Sequence, residues 1–313
     1  MLRRVGLIAA ASAAICACGA STGPAPARWR EAIHLRGVVD LTPPRSDGRR
    51  VVAAAGRLWL IRRGGAPTPF AAGYRAPANA DEPYIALATG AGCFARDGIY
   101  ALAPGARPAV VRVDRRGHTR RFATLPGGWF LDGIAFDQTG DFGLRLLVTA
   151  TKAAGGRLFA IDCHGAVAAV ARRIPKVEGG LAVAPRTFGR FGGDLIAPDE
   201  NSGRIYAIDR RGRARLLARP GLPHGGDIGV ESAGFVPSLP ATAHLADRGT
   251  PGNPHPGTDS VLTLTAALVQ RGDLLVATEG GAETIAIHCA SRCTVRHIAD
   301  GPAVAHAEGH ISF

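Results

Sequence analysis

An acidic residue recurs directly before short apolar runs along this chain. Carboxylates that a fold brings together can bind a cation or transfer a proton. The clearest cases are Glu82, Asp132, Glu178, Glu231 and Glu308, with Asp259 as a less regular member. Glycine follows three of them, as in Leu131-Asp132-Gly133-Ile134. A repeat of this kind predicts one site, built from several copies of a structural unit.

We call each of these acidic residues, together with the apolar run that follows it, an acidic step. Histidines lie near two of these acidic steps. His224 and Asp227 lie in the segment that leads into Glu231, and they are our candidate catalytic residues, because imidazole and carboxylate groups can act as bases or metal ligands. His306 and His310 flank Glu308. The alternatives are that the loop histidines are solvated and that His310 packs within a sheet.

A second repeat indicates the elements that position these residues. Apolar segments end in Asp-x-x-Gly at residues 114–117, 162–165 and 209–212, at nearly constant spacing. Aspartate opens a turn and glycine takes the positive φ that closes a hairpin. The segments are therefore predicted to be strands joined by tight turns.

Each repeat contains an acidic step and four short strands, which is typical of a β-propeller blade. Third strands are predicted at residues 56–61, 108–114, 156–162, 203–209, 260–265 and 283–288. The predicted fold is all-β: a six-bladed β-propeller with four-stranded antiparallel blades over residues 32–313. Because segment 251–256 is irregular, a ring of five or seven blades is an alternative. The C-terminal strand is expected to close the ring by completing the first blade, near Trp59.

Inner strands of a propeller surround its central channel, so the acidic residues are expected to converge at one channel mouth. Like charges so close together raise one another's pKa unless a cation compensates. We therefore expect Glu82, Asp132, Glu178, Glu231 and Glu308 to bind a divalent cation, calcium by preference, or a small ligand. The alternative is that each carboxylate caps backbone amides and binds nothing.

Residues Leu131-Asp132-Gly133-Ile134-Ala135-Phe136-Asp137-Gln138-Thr139-Gly140 resemble a strand-entry motif of the senescence-marker-protein/gluconolactonase family and, more loosely, of NHL-repeat propellers. Residues 191–209 are similar to the strands that follow in such blades. The resemblance implies six blades and a divalent cation at the channel mouth, with Asp132 and Glu178 at matching positions. The family's Glu-Gly-Pro-x-Trp step and Asn-Gly strand entrance do not occur in this chain.

That resemblance implies hydrolysis of a lactone or ester, in which the cation polarises the carbonyl while a mouth carboxylate or His224 activates water. Two alternatives stay open. One is a propeller scaffold that binds a ligand or protein without catalysis, and the other is a quinone-dependent sugar dehydrogenase.

The first 18 residues are typical of an export signal, because Arg3 and Arg4 precede a short alanine-rich apolar stretch. Ile15-Cys16-Ala17-Cys18-Gly19 resembles a bacterial lipobox, which makes Cys18 the expected lipidation site. Residues 19–31 form the predicted Pro/Ala-rich tether. We expect an exported lipoprotein held at the membrane of the cell envelope, with a secreted protein without lipid as the alternative.

An exported chain can form disulfides. The spacing of Cys289 and Cys293 suits a bridge across a tight hairpin, whereas sequence alone does not show whether Cys93 and Cys163 meet.

The formal net charge of +12 comes almost wholly from arginine. Basic runs with interleaved aromatic residues do not occur, so we expect no nucleic-acid partner. We expect a monomer.

Overall fold

The computed structural model describes residues 26–77, 82–266 and 268–313. The predicted signal peptide and Cys18 lie outside these ranges. The segment predicted as a tether is described only from residue 26 onward, where it contains strand β1 (Ala27–Arg28) and the start of β2 (Arg30–His34). This part of the segment therefore belongs to a sheet. The described residues contain no helix with the length and hydropathy that a membrane span requires.

Four consecutive sheets have four antiparallel strands each. The first contains β3 (Val38–Leu41), β4 (Arg50–Ala54), β5 (Arg57–Ile61) and β6 (Thr68–Phe70). The second contains β7 (Ile85–Leu87), β8 (Ile99–Ala103), β9 (Ala109–Val113) and β10 (Thr119–Thr124). Their inner strands β3 and β7 are buried on both faces, because apolar side chains pack between neighbouring sheets.

The third sheet contains β11 (Phe130–Phe136), β12 (Leu146–Lys152), β13 (Gly155–Ile161) and β14 (Val167–Ile174). The fourth contains β15 (Ala182–Val183), β16 (Leu195–Asp199), β17 (Arg204–Ile208) and β18 (Ala214–Ala218), with a 3-10 helix at Gly189–Phe191. In all four sheets the strands follow chain order from the axis outward, as propeller blades do.

The Asp-x-x-Gly motifs form the predicted hairpin turns. Asp114, Asp162 and Asp209 each accept hydrogen bonds from the backbone N–H groups two and four residues later, over 2.8–3.0 Å. The glycines that close these turns have φ values of 93°, 89° and 76°, which an L side chain rarely adopts. The turns connect the third and fourth strands of the second, third and fourth sheets.

The rest of the chain forms one nine-stranded sheet. Its remaining strands are β19 (Val230–Phe235), β20 (Ala241–Asp247), β21 (Ser260–Ala266), β22 (Leu274–Thr278), β23 (Thr284–Cys289), β24 (Cys293–Asp300) and β25 (Ala307–Ser312). The order is β1-β24-β23-β22-β19-β25-β20-β21-β2. It contains two four-stranded antiparallel ladders, β19-β22-β23-β24 and β25-β20-β21-β2, joined by a single parallel pair, Ala233 and His310.

The structure therefore has four separate four-stranded blades and one larger sheet, so the predicted set of six separate blades is wrong. The reason is the close approach of β19 and β25. A Cβ atom on Gly234 would collide with the carbonyl oxygen of Ile311, so only glycine permits this contact. All six predicted third strands nevertheless occupy the third position, counted from the axis, of a blade or ladder.

The prediction that the C-terminal strand completes the first blade is also wrong. The first blade has its own inner strand, β3, and β25 pairs instead with β20. The N-terminal strand β2 completes the same ladder by pairing with β21. Trp29, between β1 and β2, is 3% exposed, and its indole N–H donates to Thr284 Oγ1 over 2.8 Å.

His310 and Asp40 connect inner strands close to the propeller axis. His310 Nδ1 lies 2.9 Å from Asp40 Oδ2, and Nε2 lies 2.8 Å from the Ile134 carbonyl oxygen. Since both partners accept, both ring nitrogens donate and the imidazole is protonated. Burial lowers the pKa of His310, but the Asp40 carboxylate more than offsets this and raises it overall. His310 thus links β25 to β3 and β11.

Two disulfides are present. Cys289 is bonded to Cys293 across the β23–β24 hairpin, as predicted. Cys93, before β8, is bonded to Cys163 in the β13–β14 turn, which ties the second blade to the third. This resolves the pairing that the sequence left open.

Candidate functional site

The five acidic residues predicted to meet are brought together. Each lies in an inner strand or just before one. Glu178 interacts electrostatically with Glu82, Asp132 and Glu231, and Glu308 does so with Glu82 and Glu231. We call the group formed by Glu82, Asp132, Glu178, Glu231 and Glu308 the axial carboxylate cluster.

β-Bulges direct two of these side chains. Pairing passes from Leu131 to Gly133 in β11 and from Val230 to Ser232 in β19, so that Asp132 and Glu231 are the extra residues. A bulge re-aims the side chain of its extra residue. In β3 the corresponding extra residue is Val39, which explains why the first blade lacks an acidic step.

Tyr84 lies between two members of the cluster. Its hydroxyl contacts Glu231 Oε1 and lies 2.8 Å from Glu308 Oε2. A phenol carries one proton and can donate to only one carboxylate, so the second contact requires a proton on Glu231 or Glu308. Burial, followed by repulsion from Glu308 and Glu279, raises the pKa of Glu231 well above its usual value. One proton is therefore held inside the cluster.

Arg248 contributes a cation at the solvent side. Its Nη1 atom lies 3.2 Å from Glu308 Oε1 and 3.4 Å from Glu82 Oε1. The side chains of Arg248 and Glu82 are each 21% exposed, whereas that of Glu308 is fully buried. Burial and the charges of Glu308 and Glu178 still raise the pKa of Glu82. One guanidinium therefore does not neutralise this group.

His306 provides a second, deeper cation. Its Nε2 atom lies 2.8 Å from Glu279 Oε1 and 3.5 Å from Glu308 Oε1. Burial favours neutral imidazole, but these carboxylates outweigh it and raise the pKa of His306 to about 10. Burial raises the pKa of Glu279 to about 7 despite the hydrogen bond to His306. His306 is thus protonated at neutral pH and shared between two carboxylates.

A polar chain continues outward from Glu279 to the rim. Carboxylate oxygens of Glu279, Glu200 and Asp227 lie within 4.8 Å of one another. Glu200 accepts from the backbone N–H of Asp227, whose carboxylate accepts from Asn253 Nδ2 over 3.3 Å. Asp227 and His224 are both exposed on the loop between β18 and β19. Within the described chain no hydrogen bond joins His224 to Asp227, so the predicted catalytic pair does not form a dyad here.

Asp132 and Asp259 differ in their surroundings. Burial, followed by the charge of Glu178, raises the pKa of Asp132 to about 8, and its Oδ2 atom is buried without a hydrogen-bond partner among the described residues. Asp259 instead accepts from the backbone N–H groups of Gly37 and Gly249 over 2.7 and 2.9 Å. Asp259 thus caps backbone amides and lies outside the axial carboxylate cluster.

Sequence reasoning missed Tyr84, Arg248 and Asp40. Tyr84 directly precedes β7, two residues after Glu82, so its position was a usable signal. Arg248 follows β20, which is the second strand from the axis in its ladder. Because β20 runs antiparallel to the inner strand β25, the end of β20 lies beside the start of β25. Asp40 belongs to β3, which no acidic step marks.

No family model matches this chain, and no curated protein matches it. Among solved structures, a putative oxidoreductase described as a glucose dehydrogenase from Thermus thermophilus is 18% identical, with a TM-score of 0.50 over 76% of this chain and 99% of that chain. A Bacteroides thetaiotaomicron protein of unknown function is 9% identical, with a TM-score of 0.51 over 91% and 66%. Virginiamycin B lyase from Staphylococcus aureus is 13% identical, with a TM-score of 0.48 over 86% and 88%.

At these identities the likeness shows the fold alone. The two matches with TM-scores of 0.50 and 0.51 support an all-β propeller and give no reaction to this chain.

Proposed function

We propose that this protein binds a divalent cation at the axial carboxylate cluster. The observation that carries the proposal is that carboxylate oxygens of Glu82, Glu231 and Glu308 all lie within 4.8 Å of one another. Oxygen ligands on opposite sides of a calcium ion are separated by about 5 Å, since each Ca–O bond is about 2.4 Å long. The three residues come from three different inner-strand entrances, so the propeller itself fixes their spacing.

The electrostatics of the cluster favour a cation. Burial and mutual repulsion raise the pKa of Glu82, Asp132 and Glu231 together. A bound cation removes that repulsion and lets the carboxylates ionise. Asp132 Oδ2 adds a buried acceptor without a hydrogen-bond partner in the described part of the chain. An all-oxygen donor set of this kind suits calcium or magnesium better than zinc.

Arg248 is the natural competitor for that cation. Its guanidinium contacts Glu82 and Glu308, two of the three proposed ligands. Because the side chain is partly exposed, it can move toward solvent when a cation enters. Binding is therefore proposed to exchange one positive group for another.

Calorimetry of metal-stripped protein tests the proposal. We expect saturable heat with Ca²⁺, weaker heat with Mg²⁺, and a loss of about a hundredfold in Ca²⁺ affinity for Glu231→Gln. Glu31→Gln is the matched control, because Glu31 is exposed on β2 and far from the cluster in the sheet order. The absence of binding heat with Ca²⁺, Mg²⁺ and Zn²⁺ would refute the cation site.

Hydrolysis of a lactone or ester is a second candidate function. The exposure of His224 and Asp227 on a rim loop favours it, since a substrate bound at the mouth can reach both from solvent. We expect turnover of simple lactones that EDTA abolishes and His224→Ala reduces. If no lactone or ester is hydrolysed above buffer while Ca²⁺ binds, the protein is a non-catalytic binding propeller.

We further propose that the ladders β19-β22-β23-β24 and β25-β20-β21-β2 act as two blades of a six-bladed ring. Their four antiparallel strands each, and the single residue pair that joins them, support this. An experimental structure with five walls around the axis would contradict it.

Export with lipidation at Cys18 is also a proposal. The disulfides Cys93–Cys163 and Cys289–Cys293 support an oxidising compartment. Expression in a bacterial host with a radiolabelled fatty acid should label the wild type and not Cys18→Ser. Equal labelling of the two, or none, would reject lipidation at this residue.

A further inference from the structure

A groove on the outer surface has a charge pattern opposite to that of the axis. It lies between the end of β10 and the β13–β14 hairpin, with a volume of ≈ 540 Å³. Leu125 and Pro126 form one wall, and Phe159, Val167 and Ala169 form the other. Two guanidinium groups, of Arg157 and Arg172, also line it, and no carboxylate among the described residues does. We call this the outer groove.

The cations beside the outer groove lack an acidic partner within the described residues. Arg157 and Lys152 contact the ring of Trp129, each 4.4 Å from its centroid, and neither of them nor Arg172 forms an ion pair there. The Nε atom of Arg157 is buried without a hydrogen-bond partner in the described part of the chain. A buried guanidinium N–H without an acceptor is unfavourable, and an anion would supply that acceptor.

Another cavity on the molecule differs from the outer groove in containing carboxylates. It is also rich in arginine but contains Asp141, Asp194 and Asp209. There Arg213 lies 2.9 Å from Asp209, and Arg215, beside the cavity, lies 2.7 Å from Asp194. Two arginines at that cavity are thus paired with carboxylates, whereas Arg210 and Arg211, which also line it, form no ion pair among the described residues. The cations of the outer groove are left without such partners among the residues that the structure describes.

The local backbone sets the guanidinium groups in place. Pairing of β13 with β14 is irregular between Gly156 and Leu158 and again between Leu158 and Phe159. These irregularities place Arg157 and Arg172 on the same face of the hairpin as Phe159 and Ala169, as their shared lining of the groove shows. The result is an apolar trough with positive charge at one part of its length.

We propose that the outer groove binds a small organic anion with an apolar body. The anionic head, a carboxylate or a phosphate monoester, is held by Arg157 and Arg172, with Lys152 nearby. The apolar body lies against Pro126, Val167 and Ala169, because Leu125 and Phe159 are almost fully buried. The volume falls within the usual range of small-molecule sites. This site is separate from the axial carboxylate cluster and does not depend on cation binding there.

Calorimetry on the full-length chain, below the micelle concentration of each probe, tests the assignment. The probes are decanoate, decyl phosphate, decanol and inorganic phosphate. We expect saturable binding of decanoate or decyl phosphate, at least about tenfold weaker binding of decanol and inorganic phosphate, and about a tenfold loss for Arg157→Gln. Arg211→Gln is the matched control, because Arg211 lines the other cavity, and it should bind normally.

A second variant guards against misfolding of Arg157→Gln. Thr124 is exposed at the groove, so Thr124→Glu should fold and place a carboxylate beside the guanidinium groups, which weakens decanoate binding. Binding of only one head group would fix the head-group class and uphold the site. Equal binding of decanol and decanoate, equal binding of inorganic and decyl phosphate, or unchanged affinity in both groove variants would overturn it.

Discussion

The axial carboxylate cluster and the outer groove differ in sign and share one property. At the axis, five carboxylates lie together with Glu279 beside them, and Arg248 and His306 contact Glu82, Glu308 and Glu279. At the groove, within the same described ranges, Arg157, Arg172 and Lys152 face no carboxylate. At the cavity that Asp209 lines, by contrast, Arg213 is paired with a carboxylate. Uncompensated charge in buried surroundings is costly, and this applies to the axial carboxylates and to the buried Nε atom of Arg157. Both regions are therefore where we expect ligands of opposite sign.

The two regions also differ in origin. The axial cluster collects one residue from each of several repeats, whereas the charges of the outer groove come largely from one hairpin, β13–β14. A repeated feature is visible in the sequence, and a feature of a single hairpin is not. The axial cluster is therefore a product of the repeats, whereas the outer groove is a feature of one blade.

Removing the buried cationic side chain of His306 from the axis should have the largest effect on the free energy of unfolding. His306→Ala leaves Glu279 and Glu308 without their shared partner, which should lower the unfolding free energy by about 3 kcal/mol in urea titrations at neutral pH. His297→Ala removes an exposed pair with Asp300 and should change it by less than about 1 kcal/mol. Equal effects of the two variants would mean that the axial charges are well solvated.

The axis should also make stability depend on pH in the metal-free protein. Glu279, Asp132 and His306 all have raised pKa values, to about 7, 8 and 10, so the folded state binds more protons than the unfolded state. Stability must then fall as pH rises from about 6 to about 9, by up to about 1.4 kcal/mol per pH unit for each excess proton.

Asp132→Asn should flatten this dependence up to pH 8, where the native carboxyl of the wild type titrates. Urea titrations in EDTA at several pH values give the slope. A stability that does not fall over this range would show that the folded protein holds no excess protons there.

Removal of Arg248 tests the charge balance at the axis through the affinity for Ca²⁺. Arg248→Gln deletes the group that competes for Glu82 and Glu308 and should tighten Ca²⁺ binding by about tenfold in calorimetry. Arg210→Gln, an exposed change at a distant turn, should leave the affinity unaltered. Weaker Ca²⁺ binding by Arg248→Gln would instead make the guanidinium a necessary part of the site.

The smallest effect should be the coupling between the two regions. Saturation with decanoate should change the Ca²⁺ dissociation constant by less than about twofold, since no ligand of one region lines the other within the described chain. Paired calorimetric titrations measure it. A change of about tenfold would show that the third blade transmits binding between groove and axis.

Periodicity accounts for what the sequence could predict. The Asp-x-x-Gly turns and the third strands repeat, and they were located correctly, as were the five acids that converge. β3 was missed because Val39 stands where other inner strands carry an acid, and β2 because Arg30–His34 lies outside every repeat.

Long-range contacts account for the rest. The contact between Tyr84 and Glu231 spans 147 residues, and that between His310 and Asp40 spans 270. The local sequence marks Glu231, and Tyr84 through its position near Glu82, but nothing in it shows which distant residue each of them contacts. The fusion of two ladders depends on a contact between Gly234 and Ile311, which is equally invisible from the pattern.

The N-terminal segment connects the two ladders of the nine-stranded sheet at their outer edges. β1 pairs with β24 at the outer edge of one ladder, β2 pairs with β21 at the outer edge of the other, and Trp29 is buried between them. Tension applied to the chain ahead of Ala27 is therefore shared by both ladders. A pull on that end would act on both sides of the ring closure, whereas a pull on one ladder alone would tend to open it.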